Sequence, residues 1–428
     1  MSTVTVTTAA PTAALSRTSS PRTATSHLLY LSHSAPASPQ PQPQPQPSLL
    51  PRSGREGVTY GNGTAHYRFL FPHATSVAVA TVLAHRVLCP GGPLPAPFTI
   101  DATTLLSPQQ GGLWTGSVCV PGGLHHVVLL VDGCPVLTPH LHIGHSHGLD
   151  QVNYIDVPPP SDARSCVNAA RPSVEHGTVA HNYVASYTTE TTEEILVYLP
   201  PSYHKAGSAT RRYPVLYLLH DDRERAMNCT QLGKVNVIAD NLIADGAMAE
   251  MIIVMMSGIH AGVDGAGLLF DVPQMCEDLT EDIIPYIDNH YRTKADRDNR
   301  AIAGLSMGSM QTSRLCMTRH DLFAYAGVFS GFLRARWSGI GTADDDHIDV
   351  LRRDPAAFQA AMRVFFRCMG DDDTFRAVFE EDDALLADLG VACERRMYAG
   401  PHSWQVWRQA AADFLPLLFK GITSPCRR

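Results

Sequence analysis

Continuous apolar runs alternate with amphipathic segments over the second half of this 428-residue chain. The runs YPVLYLLH, MIIVMMSG and NRAIAG each predict a short buried strand. Between the last two, Leu279, Ile283, Ile284 and Ile287 follow the spacing of one helix face. Buried strands that alternate with helices predict an α/β domain with a mostly parallel sheet covered on both faces.

A different pattern covers residues 58–157. The segments AHYRFLF, SVAVATVL, LWTGSVCV and HHVVLLVDG alternate or run apolar, and the turn sequences PGG and DG separate them. Short strands without helical periodicity predict a small all-β sandwich ahead of the α/β domain. The proline-rich VPPPSDARS then predicts a linker over residues 158–184.

The first 57 residues have the composition of a disordered tail. They are rich in Ser, Thr, Ala and Pro, and they contain the low-complexity stretch SPQPQPQPQPS. No acidic residue precedes Glu56, whereas Arg17 and Arg22 are present, so an organelle-targeting segment is the alternative. We favour the disordered tail.

Net charge, apolar runs and cysteine usage bear on the kind of partner and compartment. A net charge of -8 argues against a nucleic-acid partner, and no apolar run approaches the ~18 residues of a membrane span. The ten cysteines include no CxxC pair, which favours buried or incidental thiols in a reducing, cytoplasmic setting.

One histidine cluster is a candidate metal site. The stretch PHLHIGHSHG contains His140, His142, His145 and His147, but no Cys or carboxylate lies among them to complete a familiar ligand set. We therefore interpret the stretch as a flexible polar connector and expect neither a metal nor a cofactor.

The pentapeptide GLSMG places Ser306 between Gly304 and Gly308, where the predicted strand NRAIAG ends and a helix begins. This is the context of a nucleophile elbow, in which a sharp turn lifts a serine hydroxyl above the sheet. A serine needs a base, and the base needs an orienting group.

Both partners follow in the order that an α/β-hydrolase requires. RCMGDDDTF places three carboxylates, Asp371–Asp373, after a predicted strand, and His402 lies in a Gly-Pro loop before the last helix. Alone, an Asp run predicts a solvated turn, and a histidine before a helix predicts a cap. The order of the three elements favours catalysis.

The region 185–422 resembles the esterase family of α/β-hydrolases that includes enterochelin, feruloyl and acetylxylan esterases. The stretches that carry the resemblance include VYLPPSY, RRYPVLYLLHD, GKVNVIADNLIADG, DLTEDIIPYIDNHYRTKADRDNRAIAGLSMGS, LFAYAGVFSG and GPHSWQVWRQAAADFLPLLF. The segment 58–157 resembles the early-set, immunoglobulin-like module that often precedes this domain. The resemblance implies an α/β-hydrolase catalytic domain after a small β-sandwich.

The resemblance also implies site residues. Ser306 would be the nucleophile and His402 the general base and acid. The family's acid usually stands three residues after a glycine, which is Asp373 counted from Gly370; Asp371 and Asp372 are the alternatives.

The oxyanion hole departs from the family pattern. The backbone N–H of Met307 would be one donor, and the second would come from the loop after YLLH, at Asp221. The family typically has His-Gly-Gly there, whereas this chain has His220-Asp221-Asp222, and Cys229 replaces a common tryptophan. A carboxylate turned toward the hole would oppose an oxyanion.

These features predict a serine carboxylic-ester hydrolase that acts through an acyl-enzyme and is enterochelin esterase-like. The alternatives are an acyltransferase of the same fold and a non-catalytic glycan-binding protein with a degenerate hydrolase domain. The expected partner is a small-molecule or glycan ester, with no nucleic acid and no membrane span; a homodimer is considered.

Overall fold

The computed structural model describes residues 55–61, 63–83, 99–145, 151–158, 167–221, 224–256, 260–261, 268–269, 272–334 and 346–420. The strands are β1 Gly57–Gly61, β2 Thr64–Leu70, β3 Val77–Leu83, β4 Thr99–Leu105, β5 Ser107–Pro108, β6 Leu113–Cys119, β7 Gly123–Val131, β8 Cys134–Val136, β9 His142–His145, β10 Gln151–Val157, β11 Thr178–Ser186, β12 Thr191–Leu199, β13 Val215–Leu219, β14 Ile252–Met256, β15 His260–Ala261, β16 Leu268–Leu269, β17 Arg300–Leu305, β18 Tyr325–Phe329, β19 Val364–Gly370 and β20 Glu394–Tyr398.

The helices are α1 Asn228–Gln231, α2 Val235–Ala244, α3 Val272–Glu277, α4 Ile284–His290, α5 Met307–Thr318, α6 Asp346–Arg353, α7 Pro355–Ala361, α8 Arg376–Asp388 and α9 Trp404–Phe414. A π-helical turn, Asp278–Ile283, joins α3 to α4, and short 3₁₀ turns occur at Gln110–Gly112, Arg297–Asn299 and Leu415–Leu417. None of the helices in the described ranges is both long and apolar enough to cross a membrane.

The strands before residue 158 form two antiparallel sheets. One has the order β1-β2-β6-β5, and the other has the order β4-β3-β7-β10-β9 with β8 paired to β7. Side chains alternate in burial along β2, because one face of the strand packs on a core that includes Tyr67, Trp114 and Ile155. In its described residues the region consists of antiparallel strands with one 3₁₀ turn, as the short alternating runs predict.

The second half of the chain contains an eight-stranded sheet. Its strand order is β11-β12-β14-β13-β17-β18-β19-β20. The pairs β11–β12 and β12–β14 are antiparallel, and the remaining pairs are parallel. The prediction of a mostly parallel sheet is confirmed. Strands β13, β14, β17 and β18 are buried along their whole length because helices cover both faces of the sheet.

The two edge strands of this sheet lack the continuous apolar run of the buried strands. Strand β11 includes residues 178–184, which the sequence assigns to the linker 158–184, and β20 reads ERRMY. Strand β11 is buried only at Val184 and Ser186, and β20 has no buried residue, so both sequences are polar and lack the signal of a buried strand. The histidine stretch also differs from the expectation of a flexible connector, because residues 142–145 form β9, which pairs with β10; His147 lies outside the described residues.

The all-β region contacts the helices next to the sheet through polar bonds. Arg408 on α9 binds Asp156 of β10 with both terminal nitrogens. The Gln405 amide donates to the carbonyl of Leu124, and the Tyr154 hydroxyl donates to the carbonyl of Gln231. These bonds hold the β-strands against α1 and against α9, which begins two residues after His402.

Candidate active site

Ser306 lies on a strained turn between β17 and α5. Its backbone has φ 49° and ψ -108°, a conformation that non-glycine residues rarely adopt. The backbone N–H of Ser306 donates to the carbonyl of Phe329 at the end of β18, at 2.9 Å. The turn is therefore fixed from the neighbouring strand, at the carboxyl edge of the sheet.

The two glycines of the pentapeptide make room for this turn. A Cβ atom at Gly304 would collide with the carbonyl group of Gly308. A Cβ atom at Gly308 would lie 2.7 Å from the carbonyl oxygen of His220, at the end of the adjacent strand β13. Both positions thus need glycine because α5 starts in direct contact with the sheet.

Asp373 is the member of the Asp371–Asp373 run that meets the histidine. The Nδ1 atom of His402 donates to Asp373 Oδ2 at 2.9 Å, and the second carboxylate oxygen accepts the N–H of Phe375 at 2.9 Å. Asp373 is buried, whereas Asp371 and Asp372 are exposed. The Asp371 carboxylate instead accepts the N–H of Gly400 at 2.8 Å.

The imidazole of His402 is buried and enclosed by aromatic rings. Phe375 and Trp407 pack edge-on against it, with ring centroids 5.1 and 5.2 Å away. Burial lowers the pKa of His402, but the hydrogen bond to Asp373 and the charges of Asp221 and Asp373 outweigh burial and raise it above its ordinary value.

Asp221 enters the site with its side chain. The sequence suggests that its backbone N–H is an oxyanion donor, yet its carboxylate lies at the elbow: Oδ1 accepts the N–H of Met307 at 3.5 Å. The other oxygen, Oδ2, lies 3.8 Å from Nε2 of His402. Asp221 is only 2% exposed. Asp222 lies outside the described residues.

A second acid, Glu224, supports this loop and was not found from the sequence. Its Oε1 accepts the indole N–H of Trp404 at 2.8 Å. Burial, followed by the charge of Asp221, raises the pKa of Glu224 well above its usual range. The available signal was a third carboxylate, five residues after the end of β13 and close behind Asp221 and Asp222.

Other features lie away from this site. An open cleft of about 560 Å³ on the all-β region is lined by Glu56, His66, Arg68, Ser107 and Gln109, among others, and includes none of the residues above. Within the part of the chain that the structure describes, no three His, Cys, Asp or Glu side chains are grouped to hold a metal ion.

Comparisons with known proteins show what the chain is similar to. A family profile described as "Putative esterase" matches residues 186–418. An endo-1,4-beta-xylanase/feruloyl esterase of Xylanibacter ruminicola is 31% identical over 363 residues, which are 84% of this chain and 45% of that protein. The chain spans less than half the length of the curated relatives it matches.

Two solved structures share the architecture. A ferulic acid esterase aligns with a TM-score of 0.50 and 26% identity, over 56% of this chain and 97% of the other. The enterochelin esterase from Shigella flexneri aligns with a TM-score of 0.57, over 86% of this chain and 96% of the other. At 12% identity, the second likeness concerns the fold alone.

Proposed function

The chain belongs to the esterase family that this profile describes. We propose that it is a carboxylic-ester hydrolase of the α/β-hydrolase type and that it uses Ser306, His402 and Asp373 as a catalytic triad. The observation that carries the proposal is the hydrogen bond between His402 and Asp373. Asp221, which lies against both His402 Nε2 and the N–H of Met307, links this pair to the Ser306 turn. The three proposed triad residues come from three loops at one edge of the sheet, in the chain order of an α/β-hydrolase.

In the proposed acylation, the Ser306 Oγ attacks the ester carbonyl carbon while Nε2 of His402 takes the hydroxyl proton. The carbon–oxygen bond to the leaving alcohol then breaks, and His402 returns the proton to that alcohol. The acyl group remains on Ser306. Asp373 accepts the Nδ1–H throughout, so it fixes the tautomer that exposes Nε2 and stabilises the imidazolium.

In the proposed deacylation, His402 takes a proton from water, and the resulting hydroxide forms a bond to the acyl carbon. The bond to Ser306 Oγ breaks, the proton returns to Oγ, and the free acid leaves. The N–H of Met307 follows the nucleophile directly and is placed to donate to the oxyanion in both halves. An alcohol in place of water would give acyl transfer by the same steps.

For the substrate, we propose esters of ferulic acid as the first class. The support is the 31% identity, over most of this chain, to a protein named as a feruloyl esterase, together with the likeness to a ferulic acid esterase structure. Enterochelin-type esters are the second class, on the fold likeness. Both substrates are small molecules in which one ester carbonyl must reach Ser306.

We also propose a domain arrangement: an immunoglobulin-like module over residues 58–157 and a catalytic domain that ends near residue 422. The antiparallel sheets of the first region support the module. Strand β11 pairs with β12 over nine positions, so we place the start of the catalytic domain before Thr178 rather than at residue 185.

Active-site labelling tests the proposed function. The full chain and Ser306→Ala are treated with a fluorophosphonate, and both are assayed with methyl ferulate and a short-chain aryl ester, with and without an added alcohol acceptor. We expect labelling and hydrolysis by the wild type alone. A wild type that neither labels nor cleaves any ester would favour the glycan-binding alternative, and ester formation with the alcohol would favour acyl transfer.

A further inference from the structure

The backbone N–H of Met307, which would donate to the oxyanion, already has an anionic partner. The backbone N–H of Met307 points to Asp221 Oδ1, at 3.5 Å. In an acyl-transfer site this donor must be available to the substrate's carbonyl oxygen as negative charge develops on it. In this structure a carboxylate of the protein lies in front of it.

The same carboxylate reaches the proton-transfer atom of the proposed base. Asp221 Oδ2 lies 3.8 Å from Nε2 of His402, while Nδ1 of the same ring is bound by Asp373. A carboxylate between the Met307 N–H and Nε2 has the position of an acid product that has not yet left. Both distances exceed the 2.7–3.2 Å of a good hydrogen bond, so charge, rather than directional bonding, mainly holds the group.

Three buried titratable side chains, Glu224, His220 and His402, lie around the Asp221 carboxylate. Glu224 is the other buried acid of the loop, and its raised pKa means that it holds its proton to a higher pH than a surface glutamate does. The neighbouring His220 is buried, and burial lowers its pKa, so it supplies little positive charge. Arg225 is exposed. His402 has a raised pKa, and its ring faces the Asp221 carboxylate directly.

We propose that the Asp221 carboxylate is an internal occupant of the oxyanion site, which the substrate must displace before Ser306 is acylated. This inference rests on the proposed roles of Ser306, Met307 and His402. The Asp221 carboxylate competes with the substrate and with the acid product alike. Each of the three would place an oxygen at the Met307 N–H: a carbonyl oxygen in the substrate and a carboxylate oxygen in the other two. The free enzyme is therefore held back by its own side chain and also resists inhibition by carboxylic acids.

Two substitutions separate charge from bulk. Asp221→Gly empties the position, and Asp221→Asn keeps the shape but removes the charge. Because each oxyanion donor is worth roughly 10²–10³ in rate, we expect Asp221→Gly to raise kcat/KM and the rate of fluorophosphonate labelling by about tenfold. Asp221→Asn should give a smaller gain. Asp388→Asn, at an exposed helix position, is the matched control and should leave both rates unchanged.

Product inhibition supplies a readout that a purely structural role would not move. With the site emptied, ferulate and acetate should inhibit Asp221→Gly at concentrations about tenfold lower than they inhibit the wild type. Thermal unfolding verifies that each variant is folded, and Asp221→Ala replaces the glycine variant if that variant is not.

The outcomes distinguish this inference from the proposed function. If the wild type labels but the folded variants label no faster and bind acids no tighter, the inference is wrong and the proposed function stands. If neither the wild type nor any Asp221 variant labels at Ser306, the proposed function fails and the inference fails with it.

Discussion

Arg408 and Asp156 form a two-pronged ion pair between α9 and the all-β region, with nitrogen–oxygen distances of 2.9 and 3.1 Å. The guanidinium is 3% exposed, and its Nε also donates to the carbonyl of Leu232 at 2.6 Å. Because α9 begins two residues after His402, this pair connects the all-β region to the proposed catalytic loop.

Breaking this pair should destabilise the protein. Arg408→Met leaves the partly buried Asp156 carboxylate without its main partner, which should lower the free energy of unfolding by about 3 kcal/mol. Denaturant unfolding at neutral pH measures the change. The matched control is Arg376→Met, which breaks the exposed pair with Glu380 on α8 and should cost less than about 0.5 kcal/mol. Equal losses in the two variants would show that the Asp156 contact is no more than a surface ion pair.

The three adjacent aspartates should differ sharply in their effect on catalysis. Asp373→Asn keeps the size of the side chain but disturbs the tautomer of His402, so kcat should fall by about 10⁴. Asp371→Asn and Asp372→Asn alter exposed side chains and serve as matched controls, with kcat close to the wild type. Steady-state hydrolysis of one aryl ester is sufficient. A large loss in either control with Asp373→Asn unaffected would reassign the orienting acid.

The pH profile should report the environment of His402. The imidazole must be neutral to accept the proton of Ser306, so kcat/KM rises as the pH increases through the pKa of His402 in the free enzyme. Since Asp373 and Asp221 raise that pKa, the midpoint of the acid limb should lie above about 6.5, the value of an ordinary histidine. Rates measured from pH 5 to 9 on two esters with different leaving groups provide the check. A midpoint at or below 6.5 on both esters contradicts the prediction.

Glu224 should make stability depend on pH. Its pKa is raised in the folded protein, so its contribution is fully present below the pKa of the unfolded chain, about 4.5, and is lost as the pH rises toward the folded value. Glu224→Gln keeps an acceptor for Trp404 and removes the titration, so the fall in unfolding free energy above about pH 4.5 should shrink. Glu380→Gln, at an exposed position on α8, is the control and should reproduce the wild-type curve.

The elbow glycines should tolerate no side chain. Gly304→Ala would push a methyl group into the carbonyl of Gly308, so we expect loss of activity together with lower thermal stability. The control is Gly61→Ala, where a Cβ atom would have ordinary contact with the His66 ring, 3.9 Å away. If Gly304→Ala retained wild-type activity, the tight contact between β17 and α5 could not be required for the turn.

Buried elements were predictable from the sequence because burial on both faces leaves a long apolar run. Strands β13, β14 and β17 follow this rule. The edge strands β11 and β20 were missed, because few or none of their residues are buried and their sequences resemble a loop. The same polar pattern is why the sequence assigns residues 178–184 to a linker.

The candidate site shows a similar division. The sequence predicts Ser306, Asp373 and His402 because each follows a strand or precedes a helix in a recognisable order, and in the structure Asp373 and His402 are hydrogen-bonded. The orientation of the Asp221 side chain was not predictable, since it depends on packing between α5 and the loop after β13. The bond between Glu224 and Trp404 joins residues 180 positions apart, and no local pattern records such a contact.

The strand order also has a consequence for the order of folding. Strands β11 and β12 are joined by a short turn at residues 187–190, so they can pair while the rest of the chain is unfolded. Strand β13 instead lies between β14 and β17, and its Leu219 pairs with Gly304, which is distant in sequence. Closing such a long loop is slow. In refolding, β11 and β12 should therefore pair early, and the serine turn should acquire its shape only when the central strands have come together.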